Sequence, residues 1–338
     1  MTATSSKILG MTFAPRLAAL AAAQGGVFTA AQARLAGYND DEIARRRRSG
    51  AWVRLRRGVY AERCVIPDDE AARHLLRMRA ALLRLKGPVA ASHLTAAVMH
   101  GLALLDPDFS LVHVTREGTS SRRSDAGIRH HDAALPPAHL TKLGDVLTTS
   151  AARTAVDLAR STTYEAALVT TESALNKELM TLRELREVLE FCKDWPGARD
   201  AGRVVAFASP YSESAGETLG RMAFDELGVP SPEQQVLVYD RLGLIARCDY
   251  YFEGRHTVGE FDGKLKYVGE NAEDDPLYKE KLREDRLREA GLEVFRIGYA
   301  ESVGKKPSVR RKAFAAFERA EGSSRERTYR VERQPPRE

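Results

Sequence analysis

The chain has 338 residues, room for two or three ordinary domains, with 43% hydrophobic and 29% charged residues. That balance excludes a disordered chain, and no apolar run approaches the roughly 18–20 residues of a membrane span. A formal net charge of +5 tilts towards polyanionic partners, while Cys64, Cys192 and Cys248 are too scattered for a disulfide framework or a CxxC metal site. The start, MTATSSKILGMTF, is polar with too short an apolar stretch for a signal peptide, so a cytoplasmic protein without membrane attachment is expected.

Residues 1–12 read as a loose leader. PRLAALAAAQ is helical, with Pro15 in the first turn where its missing N–H costs nothing. Gly25 and Gly26 end it. Thr29 caps a second short helix over 30–36, and Asn39 or Asp40 caps a third, DDEIARRRRSG, closed by Gly50. AWVRLRRGVYAE alternates strand-type residues with arginines around Gly58 and predicts a hairpin wing. Three short helices and a wing make a winged helix-turn-helix. Arg45, Arg46, Arg47 and Arg48 fill the end of its third helix, and Arg54, Arg56 and Arg57 lie in the wing. A recognition helix in the major groove with a basic wing on the flanking backbone needs that charge distribution, so these are the candidate DNA-binding residues.

Residues 70–86 predict a long amphipathic helix, and Ser92 is placed to cap another that carries His93 and His100. Strands are expected at 111–115 and 128–132, flanking a polar, basic loop at 116–124. No pair among His93, His100, His113, His130 and His131 sits in an HxxxH or HExxH setting on one helix, so structural or groove-lining roles are expected. TTSAARTAVDLA reads as a capped helix with Arg153 and Asp157 at the i,i+4 spacing of an ion pair. Two more helices fill 164–191. After Trp195-Pro196-Gly197 a short basic segment leads to a helix carrying Glu213, Glu217 and Arg221. QQVLVYD is a strand, and ARCDYYFEGRHTVGEFDGK is a β-hairpin turning near Glu253-Gly254-Arg255. With that turn, Asp249 faces Glu260. By strict alternation Arg247, Asp249 and Tyr251 share a face with Glu260, Asp262 and Lys264, and Ala246, Cys248, Tyr250, Phe252 and Phe261 form the buried face. Converging carboxylates either hold a hard cation or cost stability. A charged helix begins at Pro276, LEVFRIGYA is a buried strand, RRKAFAAFERA is a last helix, and SSRERTYRVERQPPRE is expected to be disordered.

The order α-β-β-β-α-β, with Glu217, Asp249 and Glu260 followed by Phe261-Asp262-Gly263, resembles the restriction-endonuclease-like, PD-(D/E)xK, superfamily. Its nearest branch by DRLREAGLEVFRI is the very-short-patch repair nucleases. The resemblance implies Asp249, Glu260 and Glu217 as Mg²⁺ ligands and catalytic carboxylates, with Glu213 as a substitute. Asp262 joins the metal set and occupies the position where a lysine is usual, and Lys264 would take the lysine's role. GGVFTAAQARLAGYNDDEIARRRRSGAWVRLRRGVYA, ASHLTAAVMHGLALL and TTSAARTAVDLA together resemble the AbiEi family, antitoxins of type IV toxin–antitoxin systems. That resemblance implies DNA binding, repression of the protein's own promoter, and opposition to a nucleotidyltransferase-like toxin without a stable complex. A homodimer is compatible with this class, though no heptad pattern commits the chain to one.

The expected architecture is an α/β multidomain protein. Residues 1–62 form the winged helix-turn-helix, 63–205 a mostly helical α+β middle domain and 206–303 the restriction-endonuclease-like domain with a mixed sheet. Residues 304–338 form the terminal helix and tail. The function expected is DNA-binding transcriptional regulation, with a Mg²⁺-dependent DNA endonuclease as the second reading.

Overall fold

The computed structural model describes residues 14–118, 126–262 and 276–335. The chain forms two compact units: one runs through Gly101 and adds Pro107–Ser150, the other joins Leu102–Asp106 to Ala151 onward. Helices and mixed sheets occur in a multidomain α/β arrangement.

The first unit opens with α1 (Pro15–Ala23), β1 (Val27–Thr29), α2 (Ala30–Leu35) and α3 (Asp40–Arg48), then β2 (Trp52–Arg56) and β3 (Val59–Glu62). The helices start where the sequence places their caps. Thr29 accepts the Gln32 N–H at 3.1 Å, and Asn39 accepts that of Glu42 at 2.8 Å, each in a reciprocal capping box. β3 pairs with β1 and β2 in an antiparallel sheet ordered β1-β3-β2. β1 is too short to show a period in the sequence, which predicts only a turn and a cap there. Leu17, Phe28, Tyr38, Ile43, Trp52 and Tyr60 form the core beneath.

The same unit continues with α4 (Glu70–Leu82), β4 (Ala90–Ala91), α5 (His93–Met99), β5 (Val112–Arg116), β6 (Ile128–Asp132), β7 (Leu140–Leu143) and β8 (Val146–Thr149). Its mixed sheet is ordered β6-β5-β4-β8-β7, with β5 parallel to β6 and β4 parallel to β8. Met78, Ala81, Val112, Val114, Ile128 and Val146 pack between α4 and one face of this sheet.

The second unit begins with α6 (Ala151–Ala159), α7 (Tyr164–Asn176), α8 (Leu182–Phe191), α9 (Ala198–Phe207) and α10 (Ala215–Glu226). The boundary between units thus falls inside the stretch expected to be one middle domain. The reason is packing: Leu168 of α7 and Val204 of α9 share a core with Leu219 and Met222 of α10. Buried Glu172 binds Arg221 and accepts from Thr218 Oγ1 at 2.8 Å and Ser209 N at 2.9 Å. The short basic segment expected there is α9.

β9 (Glu233–Asp240), β10 (Gly243–Phe252), β11 (Thr257–Asp262), α11 (Pro276–Glu289), β12 (Glu293–Gly298), α12 (Tyr299–Val303), α13 (Lys306–Glu321) and β13 (Arg330–Glu332) complete the unit. The sheet is ordered β12-β11-β10-β9-β13, with β11 and β12 parallel. β13 corrects the expected disordered tail. It pairs with β9, Tyr329 Oη lies 2.6 Å from His256 Nδ1, and Arg333 binds Glu233 and Glu253. Backbone pairing and ion pairs anchor a segment whose side chains alone are too polar to fold.

Candidate functional site

Two groups of residues matter: the arginines of α3 and the β2–β3 hairpin, and the carboxylates of the β10–β11 hairpin. In the first group the structure separates residues that the sequence treats alike. Arg45, Arg47, Arg48, Arg54 and Arg57 are exposed and Arg56 is half-buried. Arg46 is buried, with its guanidinium 4.8 Å from the Tyr38 ring centroid and 5.3 Å from that of Trp52. It is therefore packed into the core. One helical turn carries the reason: Arg46 lies three residues after Ile43 and shares its inward face.

Arg47, Ser49, Gly50, Trp52, Val53, Arg54 and Arg63 line one shallow concave surface between the end of α3 and the hairpin. Arg63 lies outside the arginines expected from the sequence; its position just past the hairpin is its one signal there. Arg45 lies 3.8 Å from Glu42, whereas Arg47, Arg48, Arg54, Arg57 and Arg63 have no carboxylate partner among the described residues. Unpaired guanidinium groups at the surface are available to phosphate.

In the second group, Tyr250 pairs with Gly259, so the next step of the register brings Asp249 beside Glu260, as the hairpin spacing predicts. The faces differ from strict alternation. Ala246 and Cys248 lie with Tyr251 and Val258 in the core under α11, whereas Tyr250 and Phe252 lie in the core under α10 and α13, with Phe261 packed against it. The two-residue repeat slips at Asp249. Cys248 pairs with Val236 and Tyr250 with Gln234, so Gln235 stands opposite Asp249, and its φ of +53° is the distortion that accompanies the slip.

The slip leaves Asp249 at the junction of both faces. Its Oδ2 accepts the Phe261 N–H at 2.7 Å. Burial pushes its carboxyl up, the Phe261 N–H and Arg283 pull it down, and Glu213 pushes it up again. Glu260, 8% exposed, is pushed up to about 7, first by burial and then by the charge of Asp249. Arg283 of α11 reaches Glu260 Oε2 at 3.2 Å, yet Glu260 Oε1 is buried without a hydrogen-bond partner. Arg283 also binds Glu280 at 2.6 Å. Arg283 carries no signal in the sequence, because it comes from a helix beyond the hairpin with no local pattern linking them.

Glu217 is held from α10. It accepts from Glu213 N and Gln235 Nε2 at 2.8 Å each and from Ser214 Oγ at 2.7 Å. Burial raises its pKa, and Asp249 contributes in the same direction. Glu213 forms a two-point ion pair with Arg247 at 2.8 and 2.6 Å. Arg221 pairs with Glu172 and not with this cluster. Asp262 ends β11 and is exposed, while Lys264 lies outside the described residues.

Glycines let α10 approach closely. A Cβ on Gly216 would stand 2.0 Å from the Phe261 ring, and one on Gly220 would stand 2.4 Å from Tyr250 Oη. That hydroxyl donates to Glu217 O at 2.7 Å. Gly220→Ala is expected to cost roughly 1–3 kcal/mol by overpacking. Urea denaturation measures this, and a change within error would mean that α10 can move without loss.

Residues 15–63 match the family described as "Transcriptional regulator, AbiEi antitoxin". The class of protein to which this segment is similar is therefore a transcription regulator. Over 249 residues the chain is 28% identical to "Uncharacterized protein MT2308" and "Uncharacterized protein Rv2248", from two strains of Mycobacterium tuberculosis. Those alignments cover 73% of this chain and 85% of each relative. The crystal structure of RV2827C protein from Mycobacterium tuberculosis aligns at 16% identity and a TM-score of 0.39, over 57% of this chain and 76% of that one.

Proposed function

We propose that the protein is a DNA-binding transcription regulator whose residues 15–63 act as a winged helix-turn-helix. The observation that carries this reading is the concave surface that joins Arg47 of α3 to Arg54 and Arg63 of the hairpin and its end, with exposed Arg48 and Arg57 on the same two elements and no carboxylate partner for any of the five among the described residues. α3 is the recognition helix, and β2–β3 is the wing on the flanking phosphates. The description of residues 15–63 as an AbiEi antitoxin regulator supports transcription regulation. In this reading the protein represses its own promoter and opposes a nucleotidyltransferase-like toxin without a stable complex. Among the described residues no helix is long and apolar enough to cross a membrane.

Anisotropy titration of duplex DNA over a range of salt tests the reading. Each arginine lost from a phosphate contact lowers the salt slope by about one, so replacing Arg47, Arg54 and Arg57 with alanine should lower it by about three across all sequences. Unchanged affinity would sink the proposal. Arg46→Ala serves as the contrast, with an expected stability loss of about 1–2 kcal/mol from the lost ring contacts and packing.

A second reading concerns the carboxylate cluster: a metal-dependent DNA nuclease of restriction-endonuclease-like fold. Its support is the orphaned, buried Glu260 Oε1 beside a second acid that raises its pKa. Such mutual repulsion fits a divalent hard cation, for which Asp249 and Glu260 would supply oxygens, with Glu217 and Asp262 flanking. Mg²⁺, when bound, activates water and stabilises charge on a leaving oxygen. Arg283 and the Phe261 N–H orient the two acids.

A further inference from the structure

The first unit contains a second cluster that neither reading uses. His93, His113 and His131 come from α5, β5 and β6, and one ring nitrogen from each lies within 4.8 Å of the others. We propose that these three histidines form a binding site for a zinc-type divalent transition metal, with one coordination position left to water.

The sheet brings two of the ligands together. In the parallel β5–β6 register His113 stands beside Arg129 and Thr115 beside His131, so His113, Thr115 and His131 share one face. His113 Nδ1 lies 3.1 Å from His131 Nε2. α5 is fixed to the same strand: Ser92 N donates to His113 O at 3.1 Å, and Thr95 Oγ1 accepts the His113 N–H at 2.8 Å. His74 Nε2, 2.9 Å from Thr95 Oγ1, holds that hydroxyl in turn.

The third ligand is placed by strain. His93 has φ +49°, a conformation that costs a Cβ-bearing residue on the order of 1–2 kcal/mol. The strain lays its ring against His131, with centroids 3.6 Å apart and planes within 12°. Ser92, which the sequence marks as a helix cap, makes no cap hydrogen bond; its Oγ lies 3.1 Å from His93 Nδ1. That contact orients the His93 ring, the role an outer-shell partner plays for a ligating histidine.

The remaining observation points to a ligand outside the protein. Thr115 is fully buried on the histidine face, and its Oγ1 has no hydrogen-bond partner among the described residues. A metal-bound water would supply one. Three imidazoles with an open fourth position form a donor set suited to Zn²⁺. Tetrahedral bonds of about 2.0–2.1 Å put ligand nitrogens roughly 3.3 Å apart, near the His113–His131 spacing, and binding turns the His93 ring out of its stack on His131. Mg²⁺, which prefers oxygen, is excluded by the same donor set.

The test uses the full chain, without a histidine tag, stripped with a chelator and titrated with Zn²⁺ by calorimetry and with Co²⁺ by visible absorption. One metal per chain and the intense visible bands of low-coordinate Co²⁺ are expected. His113→Ala and His131→Ala should each weaken binding on the order of 100-fold or more, and Ser92→Ala by about 10–100-fold as an outer-shell change. His130→Ala, on the opposite face of β6, should leave binding unchanged. Circular dichroism of each metal-free variant confirms its fold, and Ser92→Ala keeps all three ligands should a histidine variant unfold. No Zn²⁺ binding by the folded chain, or equal binding by folded His131→Ala, overturns the proposal. DNA affinity and carboxylate-dependent nicking are separate readouts that this result leaves untouched.

Discussion

Replacing Asp157 by alanine is expected to destabilise the second unit by about 3–5 kcal/mol, the cost of leaving a buried cation without its partner. Arg153 is fully buried and Asp157 nearly so, with Arg153 Nε 2.9 Å from Asp157 Oδ2. Arg160 adds a second contact to Asp157 at 3.1 Å. Trp195 packs against both guanidinium groups, 4.7 Å from that of Arg153 and 5.0 Å from that of Arg160. Arg160 also donates to Pro196 O at 2.9 Å, which ties the loop before α9 to α6. Removing the carboxylate therefore strands one buried charge and loosens the loop beside it. Urea denaturation of the single variant reads the loss. The double variant Arg153→Met, Asp157→Leu should recover most of it, because an apolar pair of similar volume leaves no charge to desolvate. A single-variant loss below about 1 kcal/mol would mean that water reaches Arg153 when Asp157 is gone.

That pair also marks how far the sequence reaches. The four-residue spacing of Arg153 and Asp157 on a capped helix was legible, and it predicts the contact. Burial was not, because it depends on Trp195 and on helices packed from elsewhere in the chain. The same division runs through the candidate sites. Local chemistry fixed the Asn39 cap, the Gly58 turn, the 128–132 strand and the pairing of Asp249 with Glu260. Residues whose roles depend on a second element were misread or missed: Arg46 turns inward onto Tyr38 and Trp52, and Arg283 reaches Glu260 from α11. His93, His113 and His131 lack a helical ligand motif because sheet register brings His113 and His131 together and the start of α5 adds His93. Strict alternation puts Tyr250 with Cys248; the two part because the backbone is distorted at Gln235, opposite Asp249, while the pairing register runs on unbroken. The distortion moves Asp249 to the junction of two faces, where one residue can interact with acids on both.

Glu260→Gln is the substitution that separates a metal site from a relic, because it should raise the stability of the metal-free protein while removing its response to metal. In the folded chain the Glu260 carboxyl is pushed up to about 7 from an ordinary value of 4.5, by burial and then by Asp249. The folded state therefore holds a proton that the unfolded state releases. Stability from this group is fully present below about pH 4.5, falls as pH rises towards 7, and is gone above it. At roughly 1.4 kcal/mol per unit, the loss across that window is on the order of 3 kcal/mol. Glutamine carries no titrating proton, so the variant should lack this part of the pH dependence and melt higher than the parent at pH 8. Arg283 keeps Glu280 as its partner, so the substitution strands no cation. Mn²⁺ at about 100 times its dissociation constant should then stabilise the parent at pH 8 by about 2.7 kcal/mol and leave Glu260→Gln unmoved. Nicking of supercoiled plasmid with Mg²⁺ or Mn²⁺ supplies the functional arm, where loss of either Asp249 or Glu260 should lower the rate by at least about 100-fold, the scale on which a single electrostatic stabiliser acts. A parent protein that Mn²⁺ does not stabilise, with nicking equal in parent and variants, would make the cluster an acidic pair held only by Arg283 and the Phe261 N–H, and the protein a regulator without nuclease activity.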